Sequence, residues 1–172
     1  MLGVNQSSWI KVSLTEQTLS LMRDRSQYQS WPCSTASVGA SEQFGSGGTP
    51  RGWHRVRLLI GSDMPEGAVF VGRRPTGERY SQTLARAYPQ RDWILSRIVW
   101  LTGQQSGINR GGRVDTLRRF IYIHGTPESE PMGVAKSHGC IRMRNADVIA
   151  LFACCYPGMQ VLVEEDPTCS GH

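Results

Sequence analysis

IHGTPESEPMGVAKSHGCIRMRNADVIAL, residues 123–151, passes from one kind of periodicity to another within a single stretch. It opens inside RRFIYIHG, residues 118–125, which is β-branched and aromatic throughout and apolar on both sides, so it predicts a central strand ending on His124. It closes inside NADVIALFACCY, where Val148, Leu151, Phe152 and Cys155 recur at i, i+3, i+4 and i+7. That spacing predicts a helix with Asn145 as N-cap and Asp147 in the first turn, stopped by Pro157 and Gly158. Between the two lies KSHGCIRMR, residues 136–144, where a histidine, a glycine and a cysteine stand together ahead of an arginine.

Outward from this stretch the pattern is one of strands. In WIKVSL, residues 9–14, Ile10, Val12 and Leu14 alternate with Trp9, Lys11 and Ser13, TEQT turns the chain, and TLSLM returns it as a hairpin. A third strand is expected from Tyr28 to Trp31, followed by a segment too rich in glycine for a regular element, residues 39–52. WHRVRLLI resumes a strand with His54, Val56, Leu58 and Ile60 on one face, and AVFVG is a short apolar run. WILSRIVWL, residues 93–101, is apolar on both faces and fits a central strand or a helix. GQQSGINRGGRVDT is a long polar loop and QVLVEE a last strand. Strands in succession with a single late helix predict a mainly β fold, a sandwich or partly closed barrel with one packed helix. The 172 residues fit one domain, residues 1–172 with a core over about 9–165.

Hydrophobic residues at 39% and charged residues at 19% describe a turn-rich globular chain. The net charge is +5, and Lys11 and Lys136 are its only lysines, so nearly all the basic character is guanidinium. Arginine forks pair with carboxylate or phosphate, which points to an acidic ligand. No dense basic run or nucleic-acid-binding signature accompanies the arginines, so no nucleic-acid partner is expected, and Arg113, Arg118, Arg119 and Arg144 read as surface. No stretch approaches the apolar length that spans a membrane. MLGVNQSSWIKVSL lacks the pattern of a secretory leader; the sequence as written predicts a cytoplasmic protein, or a periplasmic one if a leader has been removed. The oligomeric state has no signature. Of five cysteines, at least one is free if the rest pair, and Cys154 and Cys155 read as core packing.

A cysteine attacks as its thiolate, which at an ordinary pKa of about 8.5 is a minor species at neutral pH, so a base must help. His138 lies two residues from Cys140, and His124 stands at the end of a rigid strand. Gly139 leaves room for a carbonyl to approach the backbone, and the amides of Gly139 and Cys140 are candidate oxyanion donors. His124, His138 and Cys140 are also zinc-ligand types, without a clear fourth. Tyr122 and Met132 are candidate pocket residues that also fit a core, while His54 and Trp53 read as strand residues.

The stretch from residue 123 to residue 151 resembles the catalytic signature of the L,D-transpeptidase family, the YkuD domain, which pairs an HG or HS step with a later SHGC followed by a short apolar residue and Arg or Asn. WIKVSLTEQTLSLM is similar to the family's opening hairpin and GSGGTPRGWHRV to its glycine-rich segment, leaving residues 73–115 least accounted for. The resemblance implies that Cys140 attacks the bond between the L-centre of diaminopimelate and D-alanine in a peptidoglycan stem peptide, forming a thioester. It implies His124 as the base, oriented through the carbonyl of Gly125, where some members carry serine. Ser137 and His138 then shape the nucleophile's loop, Gly139 and Cys140 supply the oxyanion donors, and Arg142 steers a substrate carboxylate. Transfer to an amine is transpeptidation; transfer to water is an L,D-carboxypeptidase activity on recycled muropeptides. No metal or cofactor is implied, and the non-enzymatic alternative is a zinc-stabilised wall-binding module.

Overall fold

The alternation in WIKVS becomes β1 (Ser8–Ser13), with Ile10 and Val12 wholly buried. The computed structural model describes residues 7–166. β1 pairs antiparallel with β2 (Thr18–Arg23), which pairs with β3 (Ser26–Pro32), so the hairpin and third strand stand where the sequence puts them. The remaining strands are β4 (Gly52–Ile60), β5 (Ala68–Val71), β6 (Arg74–Arg79), β7 (Ile94–Gly103), β8 (Tyr122–Thr126), β9 (Ile141–Arg144) and β10 (Gln160–Glu164). The helices are α1 (Gln82–Ala87) and α2 (Asn145–Cys154).

One ten-stranded sheet runs β3-β2-β1-β10-β4-β7-β5-β6, and β8 branches from β7 to carry β9. The fold is mainly β, a curled half-barrel with one main helix. The larger core fills the concave side: Ile10, Val56, Leu101, Ile123, Ile141 and Val161 from the sheet meet Val148 and Leu151 of α2, with Phe152 and Cys155 at its edge. A smaller cluster on the opposite face gathers Ala68, Phe70, Ile98 and Tyr122, with Trp100 and Cys140 against it. Among the described residues no helix is long and apolar enough to cross a membrane.

Four expectations are corrected. Residues 118–120 form a turn rather than the start of a strand, because the Asp115 carboxylate accepts the Arg118 N–H at 3.0 Å and Phe120 takes φ 56°. Leu58 does not share the face of His54 and Val56: a register shift between Val56 and Leu58 turns it outward, 43% exposed, opposite Trp100. Asn145 is the first helical residue, not the N-cap; its side chain instead accepts from Ser96 Oγ at 2.7 Å and donates to the Thr126 carbonyl at 3.0 Å. Cys154 is exposed rather than core, although Cys155 packs as expected. The sequence reading also lacked α1 and β6, within the residues the resemblance accounted for least. Cys33, Cys140, Cys154 and Cys155 are free thiols, and Cys169 lies outside the described residues.

His54 is a buried strand residue with both ring nitrogens engaged. Nδ1 donates to the Gly52 carbonyl at 2.9 Å, and Nε2 accepts from the Thr116 hydroxyl at 3.1 Å. Burial pushes its pKa down to about 4. Below pH 6.5 the unfolded chain takes up a proton that the folded chain refuses, so stability falls as pH drops from about 6.5 to about 4, by on the order of 3 kcal/mol. Urea unfolding of wild type and His54→Gln across this range should show their stability difference shrinking toward acid; parallel pH profiles would assign the acid loss to other groups.

Candidate functional site

β8 and β9 run parallel with Ile123 opposite Ile141, His124 opposite Arg142 and Gly125 opposite Met143. Cys140 immediately precedes β9 and lies beside Tyr122, whose backbone N–H donates to Sγ at 3.4 Å. The thiol in turn donates to the Phe120 carbonyl at 3.4 Å. Alternation puts Tyr122 and His124 on one face, so the imidazole sits one step along the neighbouring strand from the sulfur, a backbone offset of about 8 Å from strand spacing and rise. The two side chains share that face, but no hydrogen bond joins them among the described residues, the thiol being aimed at the Phe120 carbonyl.

His124 is 2% exposed, and its Nδ1 lies 2.6 Å from the Gly125 carbonyl. A carbonyl only accepts, so Nδ1 carries the hydrogen and Nε2 keeps its lone pair. Burial lowers the imidazole pKa; the Gly125 carbonyl and Asp92 oppose that shift, and Arg142 adds to it. Burial likewise pushes the Cys140 thiol up to about 11, with Tyr122 N–H, Arg142 and Arg119 pulling down and Asp92 pushing up. Burial thus favours the neutral imidazole and the neutral thiol.

The loop before the cysteine is braced from several sides. Gly139 takes φ +131°, which side-chain-bearing residues rarely adopt, and this rather than space is its need for glycine. Ser137 Oγ donates to the Cys140 carbonyl at 2.5 Å and accepts the Gly139 N–H at 3.2 Å. Of the two candidate oxyanion donors, Gly139 N–H is occupied by Ser137 Oγ, and Cys140 N–H has no partner among the described residues. Buried Thr49 donates to the Gly139 carbonyl at 2.9 Å, so the glycine-rich segment supports the loop from below. Arg119, expected at the surface, fastens that segment through the carbonyls of Ser41 (2.9 Å) and Gly48 (2.6 Å).

Arg142 is 7% exposed and already meets two carboxylates, Asp92 at 3.3 Å and Glu130 at 3.4 Å. For Arg142 to steer a substrate carboxylate, as the resemblance implies, that carboxylate would have to share or displace these partners. Over it opens a cavity of about 240 Å³ lined by Asp92, Trp93, Thr126, Glu130, His138 and Arg142, reaching the cysteine segment through the residues two either side of Cys140. Tyr122 is buried edge-on to Trp100, its hydroxyl accepting from Arg73 at 3.2 Å. Met132 is half-exposed in the loop where Gly133 N–H meets the Cys33 carbonyl, and it lines none of the described cavities. Gly125 has no room for a Cβ, which would collide with Asn145 Oδ1 and the Leu95 carbonyl, so serine is excluded there in this chain. Among the described residues no three His, Cys, Asp or Glu side chains gather as metal ligands, and His124, His138 and Cys140 do not converge as a zinc set.

Asp92, Thr49 and Arg119 escaped the sequence reading. Only Thr49 carried a signal, its place in the glycine-rich segment. Because Asp92 raises the Cys140 pKa, Asp92→Asn should lower it. Iodoacetamide alkylation followed on the Cys140 peptide should then reach half-maximal rate at lower pH; a shift to higher pH would contradict this electrostatic reading.

The L,D-transpeptidase catalytic domain family, YkuD, matches residues 7–163. "Putative L,D-transpeptidase YqjB" of Bacillus subtilis (strain 168) is 44% identical over 48 residues, 28% of this chain and 27% of that protein. The fold is similar to L,D-transpeptidase 3 from Mycobacterium tuberculosis in complex with a faropenem-derived adduct, with TM-score 0.55 and 18% identity over 92% of this chain and 60% of that one. It is also similar to the L,D-transpeptidase from Xylanimonas cellulosilytica DSM 15894, with TM-score 0.51 and 20% identity over 94% of this chain and 62% of that one. This chain spans roughly three fifths of those solved chains and about a quarter of the Bacillus protein. With the family match running from β1 into β10, the chain belongs to the L,D-transpeptidase (YkuD) catalytic-domain family.

Proposed function

We propose that this chain is one catalytic domain, residues 1–172, and a cysteine acyl transferase acting on peptidoglycan stem peptides. The observation that carries the reading is the tautomer of His124: with Nδ1–H held by the Gly125 carbonyl at 2.6 Å, the bare Nε2 is the group able to take a proton from Cys140. Sγ attacks the carbonyl carbon of the L-centre as its proton passes to Nε2. The C–N bond to D-alanine then breaks, and the imidazolium returns the proton to the leaving amine. A thioester remains on Cys140. The side-chain amine of a second stem attacks that thioester, the C–S bond breaks, and the sulfur recovers a proton through the same imidazole.

The neutral pair that burial favours fits this order, since proton transfer and attack proceed together and general-base assistance contributes on the order of 10²–10⁴ in rate. Cys140 N–H is the proposed oxyanion donor, a group worth about 2.7–4 kcal/mol in comparable sites. Ser137 and Thr49 hold its loop, and Tyr122 N–H stabilises the sulfur anion. Arg142, clamped by Asp92 and Glu130, acts as a fixed positive charge near the thiol, and His138 stands at the mouth of the cleft. The reading needs no metal or cofactor.

Incubation with a tetrapeptide stem, read by mass spectrometry, should release D-alanine in wild type and none in Cys140→Ala. With an amine-bearing acceptor, a cross-linked dimer is expected; tripeptide without dimer would make the enzyme a carboxypeptidase, and no release in either condition would refute acyl transfer from this substrate.

A further inference from the structure

Four arginines converge on the same sheet face as Cys140, away from the cleft over Arg142. Across the sheet Arg55 of β4 stands opposite Thr102 of β7, Leu58 opposite Trp100, and Trp100 opposite Tyr122, whose N–H holds the sulfur. Arg55 and Arg57 join Arg110 and Arg118 around a cavity of about 590 Å³, floored in part by Thr102. Among the described residues none of these four guanidiniums pairs with a carboxylate, whereas Arg51, Arg91, Arg142 and Arg144 all do. Asp115, the acid in the cavity wall, spends its oxygens on the backbone N–H groups of Gly111 (2.7 Å) and Arg118 (3.0 Å). Like charges gathered in one concavity repel, and an anionic ligand with several charges relieves that repulsion.

The groove connects to the thiol through one turn. Leu117 and Arg118 line the groove, Trp100 Nε1 donates to the Leu117 carbonyl at 3.2 Å, and three residues on from Leu117 the Phe120 carbonyl accepts from Cys140. Leu58, Trp100 and Phe120 lie between, with the Arg73 guanidinium over the rings of Trp100 (5.1 Å) and Phe120 (4.6 Å). From Cys140 across β8 and β7 to Arg55 of β4 is three strand spacings, about 14 Å, and two residues of rise, about 7 Å, together about 16 Å, a span that about five extended residues cover. The two sides of the thiol differ in charge balance: in the cleft the carboxylates of Asp92 and Glu130 are paired with Arg142, and in the groove no guanidinium forms an ion pair with a carboxylate among the described residues.

We propose that this groove binds the carboxylates of the amine-donating peptide, so that Arg55, Arg57, Arg110 and Arg118 select a carboxylate-bearing acceptor and aim its amine at the thioester on Cys140. The inference rests on the acyl-transfer reading above. The peptide nitrogen attacks the thioester carbon, the C–S bond breaks, and the amine's proton returns to sulfur through His124. Guanidinium forks match carboxylates bidentately, and on the other side of the thiol the Arg142 guanidinium is already engaged by Asp92 and Glu130.

The test uses two probes, an amine-bearing stem peptide with free carboxylates and the same peptide amidated, each titrated calorimetrically against wild type and the surface variant Arg55→Gln/Arg118→Gln. The free peptide should bind wild type more tightly than the amidated one. The variant should weaken it about 10- to 100-fold while leaving the amidated peptide unchanged. The rate of acylation by faropenem should stay within about twofold of wild type in the variant, while in turnover of a tetrapeptide donor KM for the charged acceptor rises in step with the binding loss. Equal affinity for both peptides, or equal losses in the variant, overturns the proposal. So does inorganic tripolyphosphate binding the groove tightly while the peptide does not, which would assign it to a phosphate polymer. Carboxylate-dependent binding without acylation of wild type would instead sink the acyl-transfer reading and leave the groove standing as an anion site.

Discussion

The parallel pairing of β8 with β9 is the constraint on which the site depends. His124 and Cys140 are sixteen residues apart in sequence, and only the register that sets His124 against Arg142 brings them to one face with a single-step offset. A slip of one residue would send the imidazole to the opposite face. The register is held where it cannot easily slip: Ile123, Ile141 and Met143 are buried in the larger core, and residues 34 and 36 pair with Arg142 and Ser137 on the far edge. Asn145 locks the end of β8 by filling the space beside Gly125, bonded to Ser96 on one side and to Thr126 on the other.

That rigidity has an electrostatic consequence. Packing the pair into the sheet desolvates both groups, lowering the imidazole pKa and raising the thiol to about 11. A solvent-exposed pair would shift less. The surrounding charges then act as fine adjustment, Arg142 and Arg119 favouring the sulfur anion and Asp92 opposing it. Under the proposed function this chain holds its nucleophile protonated until substrate arrives, and the arginines spread over the sheet face serve the second substrate rather than the first.

Much of this was legible in the sequence. β1, β2, β8 and β10 announced themselves by alternation or by continuous apolar character, and α2 by its i, i+3, i+4, i+7 stripe, because those patterns are set by burial in the larger core. α1 and β6 were silent because α1 buries no side chain and β6 lies at the sheet edge with none of its residues buried. The outward turn of Leu58 depends on a bulge that periodicity does not encode. At the site, the SHGC stretch pointed to Cys140 and His124, yet their supports join distant positions: Thr49 to Gly139 across 90 residues, Arg119 to Gly48 across 71, and Asp92 to Arg142 across 50. Such contacts leave no local signature. Asn145 misled for a related reason, since a residue suited to a helix cap was taken by a strand end instead.

The most direct test of the central claim is the rate at which faropenem adds covalently to wild type and to His124→Ala, followed by intact mass with the adduct mapped by peptide. One adduct on Cys140, formed on the order of 10²–10⁴ times more slowly in the variant, is the result expected of an imidazole that takes the thiol's proton. Equal rates in the two proteins, or an adduct on a cysteine other than Cys140, would contradict it.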